Sequence, residues 1–192
     1  MEGRSRSSTR RWLGIGALAA SVVLLAGIAG CGNDEPQDAD EPAGTGKVDV
    51  ISATFPGRQY LAEKTKINIL VENVGSTTIP NLAVTLDGLS KRLDDPNLAD
   101  PERPIWIVDR APYNGTTAYT NTWAIGEVAP GKSHKFTWHV TSVMSGTYTM
   151  RYQVAGGLNG KAKVELADGS PAKGSFLVRV TSRPKPVPDP IE

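Results

Sequence analysis

An antiparallel β-sandwich is the fold class this sequence predicts. Three observations carry it: about seven short segments alternate apolar with polar residues, Gly- and Pro-containing turns separate them, and no long stretch holds the 3.6-residue period of a helix. In KINILVEN, residues 66–73, Ile67, Ile69 and Val71 alternate with Lys66, Asn68, Leu70 and Glu72, the pattern of a half-buried strand. The turn VGSTTIP leads to NLAVTLDG, where Leu82, Val84 and Leu86 take one face; the two strands form either a hairpin or a crossover between sheets. Upstream, Val48, Val50 and Phe55 mark a first strand. Downstream, KFTWHV places Phe136, Trp138 and Val140 on one face, and TYTMRYQV does the same for Tyr148, Met150, Tyr152 and Val154. KAKVEL and FLVRV supply the last two candidates. One domain is expected over residues 47–182, with Phe136, Trp138, Tyr148, Tyr152 and Phe176 in its core.

The chain opens differently. Arg4, Arg6, Arg10 and Arg11 precede an uncharged run from Trp12 to Gly30, which ends in the small residues Ala29 and Gly30 before Cys31, the single cysteine. A positive start, an apolar segment and small residues make the layout of a secretory signal, although the run is also long enough for an uncleaved anchor. Ile28-Ala29-Gly30-Cys31 resembles the lipobox of bacterial lipoproteins, in which the thiol receives a diacylglycerol and the signal is cut just before it. The resemblance implies that residues 1–30 are a lipoprotein signal and that Cys31 is lipidated. It also implies a membrane-anchored protein at the extracytoplasmic face of a bacterial cell envelope. TRRWLG, residues 9–14, resembles a twin-arginine export signal except at Gly14, so the general secretory and twin-arginine routes both remain open.

An acylated Cys31 leaves no free thiol, and with it go disulfides, thiolate metal sites and cysteine nucleophiles. A blue-copper site, which needs a cysteine thiolate, is excluded with them. Removing four arginines and Glu2 with the signal leaves 17 basic and 19 acidic side chains, a net charge of about −2. Such a balance excludes a nucleic-acid binder. Asp34, Glu35, Asp38, Asp40 and Glu41 crowd into residues 32–46 beside Pro and Gly, a composition that cannot bury enough surface to fold. Residues 31–46 thus read as the lipidated cysteine and an acidic flexible linker, reaching on the order of 20 Å.

INILVENVGSTTIPNLAVTL, residues 67–86, resembles the bacterial Ig-like domains of the CARDB group (cell-adhesion-related domain found in bacteria), where a strand ends in an Asn-x-Gly turn. VAPGKSHKFTWHV, residues 128–140, and SGTYTMRYQV, residues 145–154, extend the resemblance. It implies an Ig-like sandwich with a binding or spacing role, and it carries over no catalytic residue. The chain departs from that pattern between Asp87 and Val128, where an insertion of about residues 88–126 holds Pro96, Pro101, Pro104 and Pro112 and the aromatics Trp106, Tyr113, Tyr119 and Trp123. Proline at this density forbids a continuous central strand. Two readings follow. The insertion is a folded flap whose aromatic side chains meet a protein, sugar or peptide partner; or PIWIV and TNTWAI are strands that point Trp106 and Trp123 into the core. Tyr113 and Tyr119 lie in the polar stretch YNGTTAYTNT, which suits a surface better than a core.

Other chemistry is absent from the pattern. There is no Gly-x-Ser-x-Gly elbow, phosphate-cradling glycine loop or His-Glu-x-x-His, and no catalytic residue, cofactor or metal is expected. Asp94, Asp95, Asn97, Asp100 and Glu102 lack the spacing of a calcium loop and read as a solvated turn. His134 and His139 are five apart, so a regular strand points them to opposite faces. The tail RPKPVPDPIE, residues 183–192, favours extended polyproline II. The expected function is a lipid-anchored, non-catalytic binding, adhesive or structural module whose partner is an envelope protein or glycan. The alternative is a small-molecule or envelope-polymer binding protein working beside a transporter or enzyme. A flat aromatic patch would favour the first, and a concave pocket beneath the insertion the second.

Overall fold

The computed structural model describes residues 42–94, 97, 99 and 101–186. The signal, Cys31, residues 32–41 of the acidic linker, residues 187–192 and part of the acidic turn (Asp95, Pro96, Leu98 and Asp100) lie outside the described residues. Thirteen strands are found among those described: β1 (Gly44–Thr54), β2 (Arg58–Leu61), β3 (Lys64–Asn73), β4 (Ala83–Asp87), β5 (Ser90–Arg92), β6 (Glu102–Pro104), β7 (Trp106–Arg110), β8 (Thr116–Tyr119), β9 (Thr122–Ala124), β10 (Ser133–Ser142), β11 (Gly146–Ala155), β12 (Ala162–Glu165) and β13 (Lys173–Pro184). They build a β-sandwich of two sheets. One has the order β12-β1-β3-β10-β7 and the other β2-β13-β11-β4-β9-β8, with β5 and β6 as a separate two-stranded ladder.

The alternating faces meet as expected. Ile67, Ile69 and Val71 of β3 and Phe136, Trp138 and Val140 of β10 are fully buried, and they face Val84, Leu86, Met150, Tyr152, Val154, Val178 and Val180 of the second sheet. Each such side chain contributes about 1.5–3 kcal/mol by leaving water. The rings interlock: Phe136 stacks on Trp138 at 5.7 Å, and Trp123 meets Trp138 edge-on at 5.6 Å. A bulge between Val50 and Ser52 exposes Ile51 and re-aims β1, so that Phe55 beyond its end turns inward.

The connection from β3 to β4 is the crossover, not the hairpin, because the two strands belong to different sheets. Asn73 holds that turn. Its side-chain amide donates to the carbonyls of Thr77 and Val128, both at 2.8 Å, and its Oδ1 accepts from Gly75 N–H at 3.0 Å.

Several features differ from the sequence expectations. The sandwich is not wholly antiparallel, since β1 pairs with β12, and β2 with β13, in parallel. These partners are far apart in the chain, so no short hairpin constrains their direction. Strand β1 takes in Gly44–Gly46 from the expected linker, and β13 runs to Pro184, paired with Leu61 inside the expected tail. The domain therefore exceeds residues 47–182 at both ends. The second half of the insertion is part of the sheets, β7 extending the first beside β10 and β9 and β8 extending the second beside β4, whereas β5 and β6 in its first half form the separate ladder. Phe176 and Tyr148 are only partly buried against the core.

His134 carries a pH signature. It packs edge-on against Phe136 at 5.2 Å, and its Nε2 is buried with no hydrogen-bond partner among the described residues. Burial lowers its pKa below the ordinary 6.5. The unfolded chain takes up the proton where the folded chain resists, so this contribution to stability is complete above about pH 6.5 and is lost as pH falls below it. The thermal midpoint should therefore drop more steeply from about pH 7 to about pH 5 in the wild type than in His134→Gln; parallel slopes would exclude His134 as the source.

Candidate functional site

The four aromatics of the insertion separate into two pairs. Trp106 and Trp123 are 2% and 5% exposed and belong to the core, because the strands that carry them join the two sheets and turn their side chains inward. Trp106 also donates its indole N–H to Oε1 of the buried Gln59 at 2.8 Å, while Gln59 Nε2 donates to the Pro56 carbonyl at 2.9 Å. This contact ties β7 of one sheet to β2 of the other. A surface role for the two tryptophans is thereby corrected to a packing one. Tyr113 and Tyr119 are 84% and 52% exposed. Tyr113 sits in the turn closed by the Gly115 N–H to Pro112 carbonyl bond, whereas Tyr119 ends the edge strand β8. No ring contact involves either of them among the described residues.

Register places Tyr119 in a larger arrangement. Tyr119 pairs with Thr122, Thr122 with Thr85, Thr85 with Gln153 and Gln153 with Lys173. Cross-strand partners point to the same side of a sheet, so these five side chains form a row over β8, β9, β4, β11 and β13 on the outer face of the second sheet. The hydroxyls of Thr85 and Thr122 are 2.8 Å apart. A second row runs Asp87, Arg151, Ser175, with the Asp87 carboxylate 3.7 Å from the Arg151 guanidinium. Both members of this ion pair are largely exposed, so it contributes little to stability and leaves their remaining hydrogen-bonding capacity free.

Between the two rows lies an open cavity of about 560 Å³, lined by Thr85, Asp87, Arg151, Gln153, Lys173 and Ser175 among others. Tyr152 and Gly174 also line it, while the Tyr152 ring itself lies on the core side of the sheet, where a Cβ on Gly174 would meet its hydroxyl at 2.5 Å. The concavity thus lies over β4, β11 and β13 and not beneath the insertion, from which Tyr119 and Thr122 join its row. The sequence held a signal for it, namely the polar half of each alternating strand, but only strand order shows which polar residues become neighbours.

Among the described residues no group of His, Cys, Asp and Glu is placed to hold a metal. His139 lies between Lys66 and Arg110 in register, on the face opposite His134. No helix among the described residues is long and apolar enough to cross a membrane.

The class of protein this defines is a small two-sheet β-sandwich with an open cavity on one outer sheet face. No family model matches the chain, and no curated protein matches it. Among solved structures, the chain is similar to the CARDB domain of a Pyrococcus furiosus protein in complex with di-metal ions, at 12% identity and a TM-score of 0.43 over 71% of this chain and 92% of that one. It is also similar to a cohesin module from a Clostridium perfringens family 33 glycoside hydrolase, at 10% identity and 0.42 over 71% and 97%. Native α-2-macroglobulin from Escherichia coli, from domain MG7 to the C-terminus, aligns at 14% identity and 0.40 over 72% of this chain and 17% of that one. At these identities the likeness concerns fold alone and assigns no residue of the site.

Proposed function

We propose that this chain is a bacterial lipoprotein, anchored through Cys31 to the extracytoplasmic face of a membrane, whose sandwich acts without catalysis as a binding module toward the cell envelope. The observation that carries the binding role is the exposed polar row from Tyr119 to Lys173 with its cavity of about 560 Å³. The row brings together side chains that donate and accept hydrogen bonds. The lipobox-like Ile28-Ala29-Gly30-Cys31 supports the anchor.

Mass spectrometry of the mature N-terminus tests the anchor. The chain should begin at Cys31 and carry a diacylglycerol, because the acyl chains, at about 0.8 kcal/mol per buried methylene, supply the membrane affinity. Cys31→Ser should abolish the lipid and shift the protein from the membrane to the soluble fraction or leave an uncleaved precursor. A wild-type mature chain without lipid, or one starting elsewhere, would overturn the lipoprotein reading.

A further inference from the structure

We infer that the outer face of the six-stranded sheet binds an acidic polysaccharide, laid across the strands between Tyr119 and Lys173. This rests on the reading of the domain as a binding module and names the ligand class of that face. The row of five residues covers four strand spacings, about 19 Å at roughly 4.8 Å each, long enough for several sugar rings. Tyr119 at one end offers a half-exposed ring for stacking on a sugar face, and Thr122, Thr85, Gln153 and Ser175 offer neutral donors and acceptors to hydroxyls.

Charge decides in favour of an acidic chain. Lys173 and Arg151 border the cavity, and Arg179 and Arg58 continue the same face, directly paired in register on β13 and β2. Asp87, already partnered by Arg151, is the one carboxylate among the residues that line the cavity. Neither Lys173, Arg179 nor Arg58 takes part in an ion pair among the described residues. Like charges placed opposite one another on a sheet repel, so Arg58 beside Arg179 is a local cost that a bridging anion would relieve. A carboxylate-bearing sugar chain supplies both the anions and the hydroxyls that the two rows are equipped to meet. A bilayer fits less well, because the face is concave and Leu177, 70% exposed, is the apolar side chain that protrudes from β13.

The test is calorimetric titration of the full chain in detergent micelles with polygalacturonate, polyacrylate and dextran. Polygalacturonate should bind and neutral dextran should not. Arg151→Gln with Lys173→Gln should weaken polygalacturonate at least tenfold with an unchanged thermal midpoint, and Arg58→Gln with Arg179→Gln should weaken it as well. Tyr119→Ala should weaken polygalacturonate several-fold while leaving polyacrylate unaffected, since only the sugar offers a ring face. Lys64→Gln with Lys66→Gln, on the opposite sheet, should change nothing. Absence of polygalacturonate binding overturns the inference, as does binding indifferent to both arginine-containing pairs. Equal loss of both polymers in Tyr119→Ala, or displacement of the polymer by micelles containing phosphatidylglycerol, does so too, the latter reassigning the face to a lipid surface. Binding of dextran or of phosphatidylglycerol micelles in place of polygalacturonate overturns the acidic-polysaccharide inference and leaves the binding-module reading standing, whereas binding of none of them overturns both.

Discussion

Trp106→Ala should lower the unfolding free energy by about 3–5 kcal/mol, the cost of deleting a buried aromatic side chain. Trp106 is 2% exposed and meets Phe55 at 5.4 Å and Tyr148 at 5.7 Å, both edge-on, so its loss removes packing shared by both sheets. The polar consequence is separate. Without the indole N–H, Oε1 of Gln59 loses its donor at 2.8 Å inside the core, and an orphaned buried acceptor costs about 1–3 kcal/mol. Trp106→Phe keeps much of the packing and isolates that term. Combining Trp106→Phe with Gln59→Leu removes the orphaned acceptor but also takes the Gln59 Nε2 donor from the Pro56 carbonyl, so the double variant should recover only part of the loss. Denaturant unfolding of the four proteins measures this. A Trp106→Ala cost below about 0.5 kcal/mol would mean that the side chain is exposed and that β7 does not complete the first sheet.

Asn73→Ala should cost about 1–3 kcal/mol, a large effect for a polar residue at a strand end. Its side chain is fully buried and makes three hydrogen bonds; truncation strands the Thr77 carbonyl, while the Val128 carbonyl keeps the Ile79 N–H at 3.0 Å and the Gly75 N–H keeps the Lys47 carbonyl at 3.1 Å. Asn73→Asp should be worse near neutral pH, because a carboxylate would face two carbonyl oxygens and lack the donors they require. Lowering the pH should narrow the gap between Asp and Ala as the carboxyl gains a proton. Denaturation at two pH values checks both statements; an Asn73→Ala protein as stable as the wild type would show that water satisfies the turn without the amide.

The two residues with these effects were not equally legible. Asn73 stood in a recognisable Asn-x-Gly turn, yet nothing in ENVGSTTIP shows that its amide reaches Val128, which is 55 positions later. Gln59 was invisible: RQYL has no apolar alternation, and its buried member is a glutamine placed there by the indole of Trp106 across the two sheets. Trp106 and Trp123 were readable as core or as contact surface, since an aromatic in a Pro-rich segment suits either until its strand has a partner. Pairing of β9 with β4 and of β7 with β10 decided both inward.

By itself the sequence determined the all-β class, the inward faces of β3, β4, β10 and β11, and the outward preference of Tyr113 and Tyr119, because period-two alternation and local polarity are properties of neighbours along the chain. Only the tertiary structure decided the crossover between sheets, the parallel pairing of β1 with β12 and of β2 with β13, and the row joining Tyr119 to Lys173. Strand order is set by which hydrophobic faces close together over the whole core. The outer polar rows inherit their composition from that choice: residues far apart in the chain become neighbours only when the strands beneath them do.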